Sequence, residues 1–585
     1  MKGLMMNAPL LITGIMAHGL RTYPDKEIVT NLVEGGTHRY SFADAGKRIA
    51  KAAHMLVKLG IKEGDRVGVM GWNTHRQFEL YYAISCIGAV CHTINPRLGP
   101  ENAAYVMTHA GDKLVLFDTS FAPLVNALAP HLKTVKNYVA LTDRANHPSG
   151  VPAGTLIYEE LIAGEKDSFD WPELDENAAC GLCYTSGTTG KPKGVLFSHR
   201  GVVLHTLVTS LPSSFGVDAT DCLLPVVPMF HVNAWGIPYS AFMMGTKLVL
   251  PGPGMDGESL HRMIIEEGVT YSLGVPTVWL GLLQYVNSIK GNFGKMKYTL
   301  VGGAALSEHL IRGFDAHGVG VRQGWGMTEM SPTGTVNKED PEFANMTLEE
   351  RIPIQLRQGR PIPFIELRLV TPEGKILPHD GVSSGHLQTR GPWVLSDYYN
   401  YDGQTLTEDG WFDTGDVSVI HPDGRMQITD RSKDVIKSGG EWISTIDIEN
   451  TALLHADVVQ AAVIGVEHPR WLERPLLIVQ LADGKTTDPE DIRQFVCGKM
   501  DKISWPDAVE IVDEIPLGAT GKVLKTKLRE MFKDYVLPEL REGGAKPSKK
   551  NRKKSFTKEA VTTQQSDADK PRKKGFSFFG FGRKK

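Results

Sequence analysis

CGLCYTSGTTGKPKGVLFSH, residues 180–199, sets an apolar, strand-like run against a loop of Gly, Ser and Thr that carries Lys191 and Lys193, then returns to apolar residues. A loop of this composition can wrap phosphates, because glycine lets backbone N–H groups approach closely while hydroxyls and Lys193 add donors. It is not a Walker loop. That motif needs four residues between its glycines followed by Gly-Lys-Ser/Thr, whereas Gly187 and Gly190 stand too close and Lys191 is followed by Pro192. Cys180 and Cys183 form one CxxC with no second ligand pair nearby, so packing in the strand is a better reading than zinc.

On either side of this loop, from about residue 40 to 330, short apolar runs alternate with helix-like segments. DRVGVMGW reads as a strand and THRQFELYYAISCIGA as a helix that Asn73 or Thr74 would cap; AVCHTINP, KLVLFD, KNYVALTD, KLVLPG and VTYSLGVP read as further strands. Such alternation predicts α/β layers with much parallel sheet. From about 380 to 430 the texture changes to Gly- and Asp-punctuated strands, HLQTRGPWVL, WFDTGDVSVI and RMQITDR, expected to form an antiparallel subdomain. After Arg431 comes a small α+β unit: helix IDIENTALLHA, strands QAAVIGV and LLIVQLA, helix PEDIRQFVCGKM and strand AVEIVD. The expected division is a large α/β domain over 1–429, a small domain over 430–540 and a tail over 541–585.

A chain of 585 residues exceeds what one core usually supports, and 41% apolar with 22% charged residues is ordinary globular composition. Six scattered cysteines in so long a chain fit a reducing compartment, with the cytoplasm as the simplest home. The opening MKGLMMNAPLLITGIMAHG is broken by Asn7, Pro9, Gly14 and His18 and is not read as a signal peptide. No run approaches the roughly 18 apolar residues of a membrane span. Charge is unevenly spread: from Arg541 onward fifteen Lys or Arg face four Asp or Glu, so the rest of a chain of net charge −3 carries −14. An acidic body argues against a nucleic-acid enzyme. The tail, with no apolar periodicity, is expected to be disordered.

Further motifs follow in order: VGGAAL at 301–306, QGWGMTE at 323–329, WFDTGD at 411–416, DRSKDVIKSGGEWIS at 430–444 and PLGATGKVLK at 516–525. With YTSGTTGKPKG they resemble the signature set of the adenylate-forming superfamily, which includes acyl-CoA synthetases, peptide-synthetase adenylation domains and luciferases. The likeness covers about residues 30 to 530. PMFHVNAWG and KSGGEWIS look most like bacterial fatty-acyl-CoA synthetases of the medium-chain type. The resemblance implies a large N-terminal domain with a small mobile C-terminal lid. It also implies a two-step reaction in which ATP and a carboxylic acid give acyl-AMP, and coenzyme A then takes the acyl group.

By that resemblance Thr185, Ser186, Gly187, Thr188, Thr189 and Lys193 cradle the β and γ phosphates. Lys522 reaches the α-phosphate and the substrate carboxylate, where cations preorganised around developing charge lower the barrier. Glu329 with Thr185 would hold Mg²⁺, which prefers oxygen ligands. Gly303 and the turn Gln323-Gly324-Trp325 would surround the base, with Trp325 stacking in place of the commoner Tyr, and Thr328 would stand at the α-phosphate. Asp416 would accept both ribose hydroxyls, with Arg431 beside it. Asp430 occupies the hinge position. SGGEWIS would line the pantetheine tunnel, and Lys433, Lys437 and Trp442 match positions that contact the adenylate from the lid.

For the acid, PVVPMFHVNAWGIPYSAFMMG at 225–245 carries no Lys, Arg, Asp or Glu. Such a wall offers no partner to a second substrate charge, so dicarboxylates and amino acids are disfavoured. His231 matches the family's aromatic gate near the reacting carboxylate, and Val232 and Trp235 are placed at the acyl group, Trp235 as the gate of its tunnel. The expectation is a ligase for a medium- or long-chain fatty acid. The alternatives are a ligase for a short apolar acid such as 3-(methylthio)propionate, or an adenylation module that loads a carrier protein. The partners expected are the acid and CoA, without nucleic acid. A homodimer is left open, and the basic, phenylalanine-bearing tail suggests peripheral contact with an anionic membrane at its inner face.

Overall fold

The computed structural model describes residues 1, 3–185, 191–431, 433–438, 441–518 and 522–540. Two large sheets build the first part of the chain. Seven strands run in the order Leu156–Ile157, Asn137–Ala140, Leu114–Phe117, Arg66–Met70, Val90–Thr93, Ala179–Tyr184 and Gly194–Ser198. All neighbours are parallel except the last pair, an antiparallel hairpin at the sheet edge. The second sheet has nine strands, and its centre is a parallel set: Tyr298–Val301 between Gly320–Gly326 and Tyr271–Gly274, followed by Cys222–Pro225, Lys247–Leu250 and Glu27–Asn31. The expected α/β class is therefore the observed one.

Helices fill the space beside these sheets. Helix His75–Cys86 is buried on every face, and Thr74 caps it by accepting from the Gln77 N–H. Asn73, the other candidate cap, is used elsewhere: its side chain donates to the carbonyls of Pro225 and Val227 and accepts from the Met229 N–H. The rings of Phe42, Phe78, Tyr82 and Phe242 meet at 4.5 to 5.3 Å in tilted and edge-on contacts, an arrangement that suits the aromatic quadrupole. The apolar N-terminal run supplies a helix, Ile12–Thr22, whose Ile12, Ile15, Met16 and Gly19 are buried. Gly19 lies so close to Phe242 that an added Cβ would stand 2.8 Å from its ring.

The expected antiparallel subdomain is a four-stranded sheet of Glu366–Val370, Gly385–Arg390, Phe412–Ile420 and Met426–Arg431. A separate five-stranded sheet follows, in which the long hairpin Val458–His468 and Leu472–Leu481 is flanked by Ile436–Ser438, Glu441–Ile443 and Ala508–Ile511. Helices Thr445–Ala452 and Pro489–Cys497 cover it over a core of Ile448, Val463, Leu477, Ile492 and Val496. Residues 1–535 form one compact unit; of the second unit, 536–585, the described part contains a single short turn, Pro538–Leu540. All six cysteines are free thiols, and burial pushes that of Cys180 up past its usual range and that of Cys183 up to about 11. Among the described residues no helix is long and apolar enough to cross a membrane. The expected disordered tail lies outside the described residues.

Candidate active site

The loop that opened the sequence reading joins the edge hairpin of the seven-stranded sheet. Tyr184 stands opposite Gly194, the Thr185 N–H donates to the Lys193 carbonyl at 2.9 Å, and the Lys193 N–H donates to Thr185 Oγ1 at 3.2 Å. Ser186, Gly187, Thr188 and Thr189 lie outside the described residues. The Lys193 ammonium sits 4.6 Å from the ring of Tyr398 and 4.1 Å from that of Tyr401, a distance at which the ring quadrupole attracts a cation. Tyr398 in turn donates its hydroxyl to Glu329 Oε1 at 2.8 Å, tying the lysine of the loop to the buried carboxylate. The sequence reading missed both tyrosines, which stand in the run SDYYNYDG, residues 396–403.

A second group gathers at the C-terminal ends of parallel strands of the nine-stranded sheet, where open α/β sheets place their ligands. Tyr298–Val301 ends in Gly302 and Gly303, the latter at φ +78°, a conformation that favours glycine. Gln323, Gly324 and Trp325 are not a turn, as expected, but part of strand Gly320–Gly326, because that segment is paired on both sides. The Gln323 amide, oriented to suit its neighbours, has the carbonyls of Gln355, Leu356 and Arg357 within hydrogen-bond reach of its nitrogen. Trp325 packs on Gly334, and its indole N–H donates to Asp416 Oδ2 at 2.9 Å. Arg431 Nε lies 2.8 Å from Asp416 Oδ1. Thr328 and Glu329 occupy a tight buried turn beside this strand.

The small domain adds Lys522. It lies on a loop closed by the Gly518 N–H donating to the Lys522 carbonyl at 2.6 Å and the Leu524 N–H to the Pro516 carbonyl at 2.8 Å. A Cβ placed on Gly303 would stand 3.9 Å from Lys522 Cε, so the side chain reaches the glycine turn at the end of strand Tyr298–Val301. Desolvation, reinforced by the Arg431 guanidinium, pushes the Lys522 ammonium down to about 8, while Asp416 and Glu329 oppose that shift. Burial raises the carboxyl of Glu329, and burial together with the Lys522 charge pushes His231 down to about 4, leaving it neutral at pH 7. Lys522, Glu329, Asp416, Arg431 and His231 thus share one electrostatic environment.

At the joint between sheets, Asp430 is buried and accepts from both the N–H and the hydroxyl of Thr445 at 2.7 Å, at the start of helix Thr445–Ala452. Lys433 and Lys437 are exposed on the small domain. The side chain of Trp442 and the residues Gly439 and Gly440 lie outside what is described.

The charge-free segment 225–245 is largely buried. Val226, Val227, Met229, Phe230, Val232 and Trp235 are buried. From Val232 to Gly236 every residue has positive φ, a left-handed turn rare for residues with a Cβ. The turn lays the Trp235 ring against Gly302, where an added Cβ would come within 2.9 Å of it. Asn73, which the sequence reading passed over as more than a cap, fixes the approach to this turn through its three bonds to Pro225, Val227 and Met229.

The AMP-binding enzyme family matches residues 16–399, and the AMP-binding enzyme C-terminal domain matches residues 447–522. Similar proteins include a 3-methylmercaptopropionyl-CoA ligase of Ruegeria lacuscaerulensis, 46% identical with 92% of this chain and 100% of the relative covered. A medium-chain-fatty-acid–CoA ligase of Ectopseudomonas oleovorans is 44% identical, covering 92% of this chain and 98% of its own length. A long-chain-fatty-acid–CoA ligase of Thermus thermophilus is 42% identical over 91% of this chain and 97% of its own. Among solved structures, ATP-bound MatB from Rhodopseudomonas palustris superposes with a TM-score of 0.76 at 26% identity, covering 90% of this chain and 99% of that one. An anthranilate CoA ligase with anthranoyl-AMP superposes with a TM-score of 0.81 at 23% identity, over 91% and 99%, a likeness of fold.

Proposed function

The chain belongs to the AMP-binding enzymes, the adenylate-forming superfamily of acyl-CoA synthetases, and from that premise we propose that it activates an apolar monocarboxylic acid of medium or long chain. It is an ATP-dependent acid–CoA ligase working through acyl-AMP. The observation that carries the substrate reading is the meeting at His231: the lid lysine on one side, an uncharged buried wall on the other. A carboxylate drawn to Lys522 finds its hydrocarbon against Val232 and Trp235, and a second charge there would be buried without a partner.

In the first step a carboxylate oxygen attacks the α-phosphorus of ATP, and the bond to the bridging oxygen breaks to release pyrophosphate. Lys522 offsets charge on the α-phosphate, and Lys193 with the loop donors offsets it on the departing phosphates. Asp416, held by Trp325 and Arg431, presents a carboxylate to the ribose hydroxyls. Glu329 and Thr185 form an oxygen-only donor set that suits Mg²⁺, and Tyr398 bonds one Glu329 oxygen. These two residues would hold the ion, which neutralises phosphate charge when bound. In the second step the CoA thiol sulfur attacks the acyl carbonyl and AMP leaves; Lys522 withdraws as the lid turns about Asp430.

The test is a panel of acids from two to eighteen carbons, following AMP formation with and without CoA. The reading requires CoA-dependent AMP release that rises with apolar chain length. A graded response is expected, since each buried CH₂ contributes about 0.8 kcal/mol. AMP release indifferent to CoA would favour loading of a carrier protein. A second reading, a ligase for a short apolar acid, is supported by the 46% identical relative. An optimum at three or four heavy atoms beyond the carboxylate would establish it.

A further inference from the structure

Beneath the phosphate loop lies a buried acid–base pair that the reaction described above does not use. Strand Val90–Thr93 runs parallel beside Ala179–Tyr184, with His92 in register with Leu182 and Thr93 with Cys183. His92 and Asp112 are completely buried, and His92 Nδ1 lies 2.9 Å from each oxygen of the Asp112 carboxylate. Gly68 on the adjoining strand makes room for that carboxylate, since a Cβ there would stand 3.0 Å from Asp112 Oδ2. Burying a carboxylate is costly, and a carboxylate on one ring nitrogen fixes the tautomer and leaves the other as an acceptor. That other nitrogen, Nε2, is buried and has no hydrogen-bond partner among the described residues. Buried polar atoms almost always have one.

His92 lines a small cavity whose other walls include Asn95, Thr185, Phe230 and His231. It therefore connects the acid–base pair to the first residue of the phosphate loop and to the gate of the acid wall. Its volume, about 10 Å³ for the centre of a water-sized sphere, suits a single water. Thr185 Oγ1 already accepts from the Lys193 N–H, so its hydroxyl hydrogen is the donor in need of an acceptor on this side.

We propose that Asp112 and His92 are a positioning pair for adenylation, which rests on the reading that Thr185 serves the nucleotide phosphates. One bridging water accepts the hydroxyl hydrogen of Thr185 and donates to His92 Nε2. The Thr185 oxygen lone pairs are thereby turned toward the phosphates and their cation. Asp112 acts by holding the imidazole in the tautomer that can accept.

Two variants of the full chain separate the ring nitrogens. His92→Asn keeps a group at Nδ1 and its bond to Asp112; His92→Gln places an amide near Nε2. Acid-dependent pyrophosphate exchange is expected to stay within about threefold of the parent for His92→Gln and to fall on the order of tenfold for His92→Asn. In His92→Asn the KM for ATP should rise, while the KM for the acid and the rate of thioester formation from supplied acyl-adenylate hold. On a Thr185→Val background the further loss from His92→Asn should shrink below about twofold, because the two act through one chain of bonds. Asp112→Asn, which keeps shape but frees the ring, should repeat the pattern on ATP. The proposal is overturned if Asn outperforms Gln, if the His92 and Thr185 losses simply add, or if the KM for the acid moves instead. Exchange in the parent with an unaffected His92→Asn overturns this inference alone; a parent chain that exchanges with no acid overturns the proposed function and this inference with it.

Discussion

Lys522 is held where its charge is least favoured until nucleotide arrives, beside Arg431 and partly out of water. Lys522→Ala should therefore lower adenylation by a factor on the order of 10² or more while sparing thioester formation. Pyrophosphate exchange measured beside the reaction of supplied acyl-adenylate with CoA checks this, and equal losses would assign the lysine another role. The same environment fixes a pH limb. With its ammonium pushed down to about 8, Lys522 is fully charged below that pH and loses its proton as pH rises through it. The kcat/KM for ATP, which reports the free enzyme, should fall above about pH 8. Lys522→Arg, always charged, should lower the rate but remove that limb, and a limb that persists in the variant belongs to a different group. Lys522 was legible because GATGKVLK gave a solitary lysine its context. Tyr398 was not, because a tyrosine in a polar loop carries no period and no motif; only the fold brings its hydroxyl to Glu329.

At the scale of elements, the acid wall depends on a turn that its own sequence does not favour. Val232–Gly236 holds positive φ throughout, and the approach to it is fixed by Asn73 from another helix start. Asn73→Ala leaves two carbonyls and one N–H without their partner, and should lower stability by about 2–4 kcal/mol while raising the KM for the acid. Denaturant unfolding and acid titration decide this; an unchanged acid KM would show the wall to be self-supporting. Trp235→Ala should shift the chain-length profile and leave the KM for ATP in place, since the ring lies on Gly302 at the acid side. A changed ATP KM with an unaltered profile would refute the gate. Alternation of short apolar runs disclosed the parallel strands, because a buried strand needs little else. Gln323–Trp325 misread as a turn because Gly324 and the following Gly326 mimic one, whereas partners on both sides, invisible in sequence, hold it extended. The buried helix His75–Cys86 was found by its caps and length; with every face apolar or satisfied it offers no stripe.

For the whole molecule, charge is divided between an acidic body and a basic end with four phenylalanines in FSFFGFG. Several cations at roughly 1 kcal/mol each near an anionic bilayer suffice to hold a chain end at its surface. The full chain should co-sediment with anionic liposomes at low salt and release at high salt, while a version ending at Leu540 stays in solution. Equal pelleting of the two would dismiss the tail as an anchor. The order of motifs made the architecture legible from end to end, since each sits where a strand ends or a sheet changes. The His92 and Asp112 pair was silent, because its twenty-residue separation has no signature until helix Pro100–Ala110 carries the chain back and sets Asp112 beside strand Val90–Thr93. One consequence of the Lys522 and Arg431 pairing concerns timing. These like charges repel, and the several negative charges of ATP beside them would mask the repulsion; once pyrophosphate departs and the α-phosphate is esterified, only one of those charges remains. The finished first half-reaction would then loosen the hold on the small domain by itself, so that the clock for the second half-reaction is set by the leaving group rather than by the arrival of the thiol.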